Sequence, residues 1–380
     1  MKTTYSLLLC LLGVSPLSAQ LAWTTETAVV GANAVMPALA QGASHTAGVA
    51  YFDSAGFVNY ASRSAGGAWT TNTAIEDRGN FNFLGLSVKL TAAGDPRIGF
   101  FTVNGFDGRY ASRTAGVWTV ENVVTAGATG EYIHLGLASD GTPRAAYGSN
   151  SNSLNYASRA TGSWVTENLT TNGIPSFLRL GAGDVPFIAF VDSQGTGDLR
   201  IASNPTGSNW VYSTAVAGFS GTASTLSFRL NGSDAAVSWV DSGALMLARS
   251  TGGVWSTQTV VASGVSNAAS SLALDGAGNG YIAYSLLSGG VGVASYNGTA
   301  WVSDTFGSGA LSLAQGESLD LLNGRLALTY MSGSDLMYSY ASVSAVPEPS
   351  TYAAIAGCGA LGLAVWRRRG RAGGTAAKTA

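Results

Sequence analysis

The chain has 380 residues, of which 46% are hydrophobic and only 11% charged, and its formal net charge is −2. An average soluble domain carries about 25% charged residues; low charge together with 51 glycines points to an exported, turn-rich β protein, and the plentiful aromatic residues exclude a disordered chain. Between residues 20 and 346 there are thirteen basic and twenty acidic side chains, a net of −7 with no basic stripe, which excludes nucleic acid as a partner.

In chain order, the first element is a secretory leader at residues 1–19. Lys2 supplies the positive start, residues 7–14 are an uncharged apolar run, Pro16 breaks it, and the small Ser18 and Ala19 suit a peptidase. Cys10 lies in this leader and Cys358 in the tail, so the body between them has no disulfide and no thiolate metal site.

From residue 20 to 345 the sequence repeats. Tryptophan recurs at Trp23, Trp69, Trp118, Trp164, Trp210, Trp255 and Trp301, with spacings of 46, 49, 46, 46, 45 and 46. Tyr60-Ala61-Ser62-Arg63 precedes Trp69, and the same four residues recur at 110–113 and 156–159. Weaker copies stand at 201–203, 247–249, 293–295 and 340–342.

Each unit reads as four short strands bounded by Gly, Asn, Asp and Pro. In the third unit these are 118–124, 132–137, 143–147 and 154–159. No window outside the two ends sustains a helical period. The expected fold is therefore all-β, a seven-bladed β-propeller of about 46-residue, four-stranded repeats. A solenoid or a row of two-sheet sandwiches is the alternative, although a sandwich needs about 100 residues per domain. The chain starts on a Trp strand and ends after a Tyr-Ala-Ser strand. Residues 23–30 are thus expected to pair with 336–343 and close the ring, which would leave no open sheet edge at the seam.

The last element is the tail, 346–371, followed by a short polar extension, 372–380. Pro347, Glu348 and Pro349 are followed by an uncharged span at 351–366 and then by Arg367, Arg368, Arg369 and Arg371. Sixteen helical residues reach ~24 Å, a little short of a hydrocarbon core of ~30 Å. The arginines would keep the tail's end cytoplasmic and the body outside. This order of parts resembles the PEP-CTERM sorting signal of Gram-negative bacteria; the extension after the arginines departs from it. The resemblance implies an exosortase as processing partner, a membrane-anchored precursor, and sorting to the cell surface or extracellular matrix, often alongside exopolysaccharide.

The repeat offers little for catalysis. His45 and His134 stand at different repeat phases, which suits neither a metal site nor a Ser-His-Asp triad, and no cofactor is expected. Most acids lie in turns such as Asp140-Gly141 and Asp275-Gly276, where they shape backbone. The hairpin before each Trp faintly resembles the Asp-box turn of sialidases, but every copy lacks the Asp. Glu26, Glu121 and Glu167 follow a Trp by three residues, and Arg63, Arg113 and Arg159 precede one. Fixed phase suggests scaffold ion pairs; the functional reading is a repeated sugar site with Trp as platform and Arg as donor, as in propeller lectins. Lys89, Arg179, Arg229 and Asp320 break the pattern, each between two apolar residues of its unit's second strand. They are candidate ligand-binding residues of the central channel or its mouth, or else solvated strand ends. The longest unit carries two further candidate loops, 80–83 and 103–107.

The sequence thus predicts an exported, envelope- or matrix-sorted propeller that binds or builds without catalysis, with polysaccharide or another surface protein as partner. A carbohydrate-active hydrolase or lyase on the same scaffold, and a protein–protein platform, are the other readings.

Overall fold

A computed structural model describes residues 21–343 except 79–84, 103–104, 126–128, 150–151, 171, 193–196, 222–224, 307–310 and 313–316. The leader, the sorting tail and its arginines, loop 80–83 and the start of loop 103–107 lie outside the described residues.

Seven antiparallel sheets make up the ring, and each joins three strands of one repeat to the Trp strand of another. Blade one covers residues 35–78, blade two 86–124, blade three 129–170, blade four 173–216, blade five 227–261 and blade six 265–306. In blade three the strands are Thr129–Leu137, Pro143–Ser149, Leu154–Ser158 and Val165–Thr170; the first three match the runs read at 132–137, 143–147 and 154–159, whereas the run at 118–124 is the outer strand of blade two. Blade seven is made from both ends. Leu319–Leu322 and Leu311–Ser312 pair Arg325–Ser332, that strand pairs Asp335–Ser342, and Thr24–Val29 from the N-terminus supplies the fourth. Thr24 faces Tyr340 and Glu26 faces Tyr338, the register expected for closure. The protein is a seven-bladed, all-β propeller.

The hydrophobic core is divided among the interfaces. Its seven clusters each join two neighbouring blades, from blades one and two round to blades seven and one. Strand faces that read as apolar on both sides are apolar because both sides meet another sheet. The alanine of every Tyr-Ala-Ser copy lies inside the packed sheets. Ala61, Ala111, Ala157, Ala202, Ala248, Ala294 and Ala341 are fully or almost fully buried. Backbones also approach directly: at Gly130, with φ of +108°, an added Cβ would sit 2.2 Å from the Gly108 nitrogen in blade two. Only glycine fits there.

The repeated Trp seats against the preceding blade. Trp69 meets Tyr338, Trp118 meets Tyr60, Trp164 meets Tyr110 and Trp210 meets Tyr156, edge-on at 5.2–5.7 Å between ring centroids. These are favourable aromatic geometries. Each ring is half-buried, with part of it left at the surface between two blades.

A second device recurs on the inner strands and went unread in the sequence. Ser87, Ser227 and Ser271 each accept a hydrogen bond from a backbone N–H of the next blade, at Leu135, Leu272 and Leu319, over 2.9–3.1 Å. The signal was present as Ser-apolar-X-Leu at 87–90, 227–230, 271–274 and 318–321. At the seam the Leu39 N–H donates to the Glu317 carbonyl, and the Gln41 amide donates to the carbonyls of Asp320 and Arg325.

Candidate functional site

Two regions bring charged side chains together. The first is the ring's centre. Lys89, Arg179, Arg229 and Asp320 stand at one phase of the inner strands of blades two, four, five and seven. Glu317, which sequence reasoning passed over, gathers two of them. Its Oε1 accepts from Lys89 Nζ at 2.7 Å and from Arg179 at 3.0 Å, so one carboxylate ties blade seven to blades two and four. Arg229 donates to the Leu319 carbonyl at 2.9 Å, and Asp320 accepts from the Gln41 N–H.

Burial works against charge here, and the partners decide the outcome. Burial alone would raise the Glu317 carboxyl, but Lys89 and Arg179 outweigh it and hold it well below the usual carboxylate range. Lys89 is pulled down to about 8, by burial first and against the attraction of Glu317. His134 lies in the same cluster with its ring 4.4 Å from that of Phe177. Burial lowers it to about 3, so it is neutral at ordinary pH. Its Nδ1 and the second oxygen of Glu317 are buried without a hydrogen-bond partner.

The second region is the series of grooves between blades, where the Glu and Arg copies meet. Two of the glutamates, Glu26 and Glu121, sit on the outer strand of one blade and reach the Arg and Trp of the next. Between blades seven and one, Glu26 accepts from the Trp69 indole at 3.2 Å and pairs with Arg63 at 3.0 Å. Arg63 is 7% exposed and lies against the Tyr338 and Tyr340 rings, so this copy is closed. Between blades two and three, Glu121 pairs with Arg159 through both oxygens, at 2.7 and 3.2 Å, and accepts from the Trp164 indole at 3.0 Å. Both members of this pair are 37% exposed.

The third copy is broken. Asn204 replaces the arginine in blade four, Glu167 is exposed, and the Trp210 indole N–H has no partner. In blade five Arg249 pairs with Ser256 in register, while Ser250 stands opposite Trp255. Arg249 therefore occupies the serine phase, as the weak copy at 247–249 has it, and Ser250 stands where the arginine would be.

The open copy borders a cavity of about 500 Å³. Arg97, Tyr110, Glu121, Asp140 and Arg159 line it, with hydroxyls from Ser112, Thr119 and Thr142. Burial pushes the Tyr110 hydroxyl up to about 12, so it stays protonated and can donate. Asp140 is held below the usual carboxylate range by hydrogen bonds from Thr142. Planar guanidinium, carboxylate and hydroxyls form a surface suited to a hydroxyl-rich neutral ligand. Among the described residues no group of three or more His, Cys, Asp or Glu could hold a metal ion, and no helix is long and apolar enough to cross a membrane.

Residues 345–369 match the PEP-CTERM protein-sorting motif. That span contains Pro347, Glu348, Pro349 and the arginines Arg367 to Arg369, so the tail is a sorting signal. No curated protein matches the chain. Among solved structures the body is similar to several lectins. The Aleuria aurantia lectin, described as a six-bladed β-propeller, has a TM-score of 0.53 at 13% identity, over 76% of this chain and 98% of that one. SapL1 lectin, described in complex with α-methyl fucoside, gives 0.51 at 14% identity over 72% and 95%. BP39L lectin from Burkholderia pseudomallei gives 0.55 at 16% identity over 77% and 84%. Identities this low establish the fold alone, and this chain has one blade more than the Aleuria protein.

Proposed function

We propose that this PEP-CTERM protein is an exported, non-catalytic carbohydrate-binding propeller, and that the open groove between blades two and three is its sugar site. The observation that carries this reading is the exposed Glu121–Arg159–Trp164 constellation beside a cavity of about 500 Å³. In it Arg159 and Glu121 orient each other, the Trp164 indole N–H holds Glu121, and the surrounding hydroxyls supply directional partners. The fucose ligands of the similar propellers support sugar as the ligand class.

The same groove argues against hydrolysis. A glycosidase needs one carboxyl kept protonated as acid and a second as base or nucleophile. Glu121 is spent on Arg159 and Trp164, and Asp140 is held ionised. The channel residues Lys89, Arg179, Arg229 and Asp320 are assigned to holding the ring, because each binds a partner within the protein.

In this reading the leader exports the chain, an exosortase processes the tail at the membrane, and the body is delivered to the cell surface or matrix, where exopolysaccharide is the natural ligand. A glycan-array screen of the wild type against Arg159→Ala tests the site. Binding to a defined glycan set, reduced at least tenfold by Arg159→Ala at unchanged Tm, supports it. Equal binding by both proteins removes the groove from consideration.

A further inference from the structure

The outer cavity does not end at Asp140. A second cavity of about 460 Å³ lies inward of it, between the turn 91–94 of blade two and the turn 138–141 of blade three. The two share Arg97, Asp140 and Gly141, so they are two halves of one radial groove. Its chemistry changes along its length. The outer half presents Glu121, Arg159 and hydroxyls, whereas the inner half is floored by Leu90, Leu137 and Ala138 with Ala92 and Ala93 on the lip.

We propose that this groove takes two or more consecutive units of an oligosaccharide, with Arg97 and Asp140 at the linkage between an outer polar subsite and an inner apolar one. The proposal rests on the carbohydrate reading of the outer half and adds the ligand's length and direction. A pyranose ring has hydroxyls round its equator and C–H groups on its faces, so one unit fits the polar half by its edge and the next lies face-down on the leucines. Both cavities fall within the ~300–1,000 Å³ of typical ligand sites. One ring can fill either half but cannot span both.

The walls are held in place before any ligand arrives. Thr91 and Asp95 close one lip by a backbone hydrogen bond, with Asp95 N–H also donating to Thr91 Oγ1. Ala138 and Thr142 close the other. From blade four, Asp184 accepts from both the N–H and the hydroxyl of Ser139 at 2.8 Å. Arg97 donates to the carbonyls of Pro96 and Arg113, which fixes the guanidinium and leaves its other donors for a ligand. A preformed groove of this kind loses little on ordering.

The test is calorimetric titration of the full-length protein with short and long ligands. The probes are methyl α-L-fucoside, methyl β-D-glucoside and methyl α-D-mannoside, set against Fucα1-6GlcNAc, cellotetraose and mannotetraose. The expected result is an oligosaccharide bound at least tenfold more tightly than its own methyl glycoside. Ala93→Trp and Ala92→Trp, on an exposed turn, should abolish that increment and leave the methyl glycoside unaffected. An oligosaccharide bound no more tightly than the single ring overturns the inner subsite while the sugar site survives. So does an increment that persists in both tryptophan variants at unchanged Tm. Failure of every probe to bind overturns both readings.

Discussion

At Glu317 one oxygen faces two cations from different blades, and the cost of removing it follows from what remains. Glu317→Gln leaves Lys89 and Arg179 at the ring's centre without their carboxylate, while Glu317 itself is 5% exposed. Breaking a buried pair of this kind costs about 3–5 kcal/mol, which urea titration would show as a lower midpoint at unchanged slope. His134 gives the pH signature. Its folded pKa of about 3 lies below its unfolded value near 6.5, so the unfolded state binds more protons between those limits. Its contribution is therefore present at neutral pH and is lost as pH falls from about 6.5 towards 3, by at most about 1.4 kcal/mol per pH unit. The carboxylate of Glu317 adds acid sensitivity only at lower pH. His134→Gln should flatten the Tm profile between pH 6.5 and 5; an unchanged slope there would mean His134 titrates normally.

At the scale of strands and hairpins, the sequence was most legible where every unit repeats the same physical demand. Seven buried alanines and seven interface tryptophans kept the period visible, and the strands of unit three fell within a few residues of their predicted limits. The phase of the first Trp also showed that the N-terminal strand completes blade seven. Deleting residues 23–30 removes that strand and exposes the edge of Asp335–Ser342. We expect a loss of more than about 5 kcal/mol, a large part of a domain's typical stability. A truncated protein that melts like the parent would contradict the closure.

The site was less legible, because it depends on differences between copies rather than on their likeness. The Glu and Arg copies shared fixed phases in sequence, which did not show which of them meet. Tyr338 and Tyr340 close the first, Asn204 stands where the third would need an arginine, and among the described residues Glu121 and Arg159 line an open cavity. Glu317 was hidden for the opposite reason: it precedes the short inner strand of blade seven, at a phase no other blade uses for charge. The serine staples were written in the sequence but at low contrast. Ser227→Ala should leave the buried Leu272 N–H unpaired and cost about 1–3 kcal/mol, measurable as a shift in chemical denaturation.

The chain carries a closed ring and a sorting tail. Its seven clusters link every blade to two neighbours, so no blade can unfold without opening two interfaces. Delivery belongs to residues 345–369 and recognition, in this account, to one groove on the ring. Replacing Pro347, Glu348 and Pro349 by alanine should therefore trap a membrane-bound precursor while sugar binding by the body persists, read by fractionation and by glycan capture on the same sample. The most direct test of the central claim is a crystal structure of the protein soaked with its best array glycan. The expected result is a sugar ring in the groove between blades two and three, hydrogen-bonded to Arg159 and Glu121. A glycan seated instead at Lys89 and Arg179 in the channel, or at the closed Glu26–Arg63 copy, would contradict it.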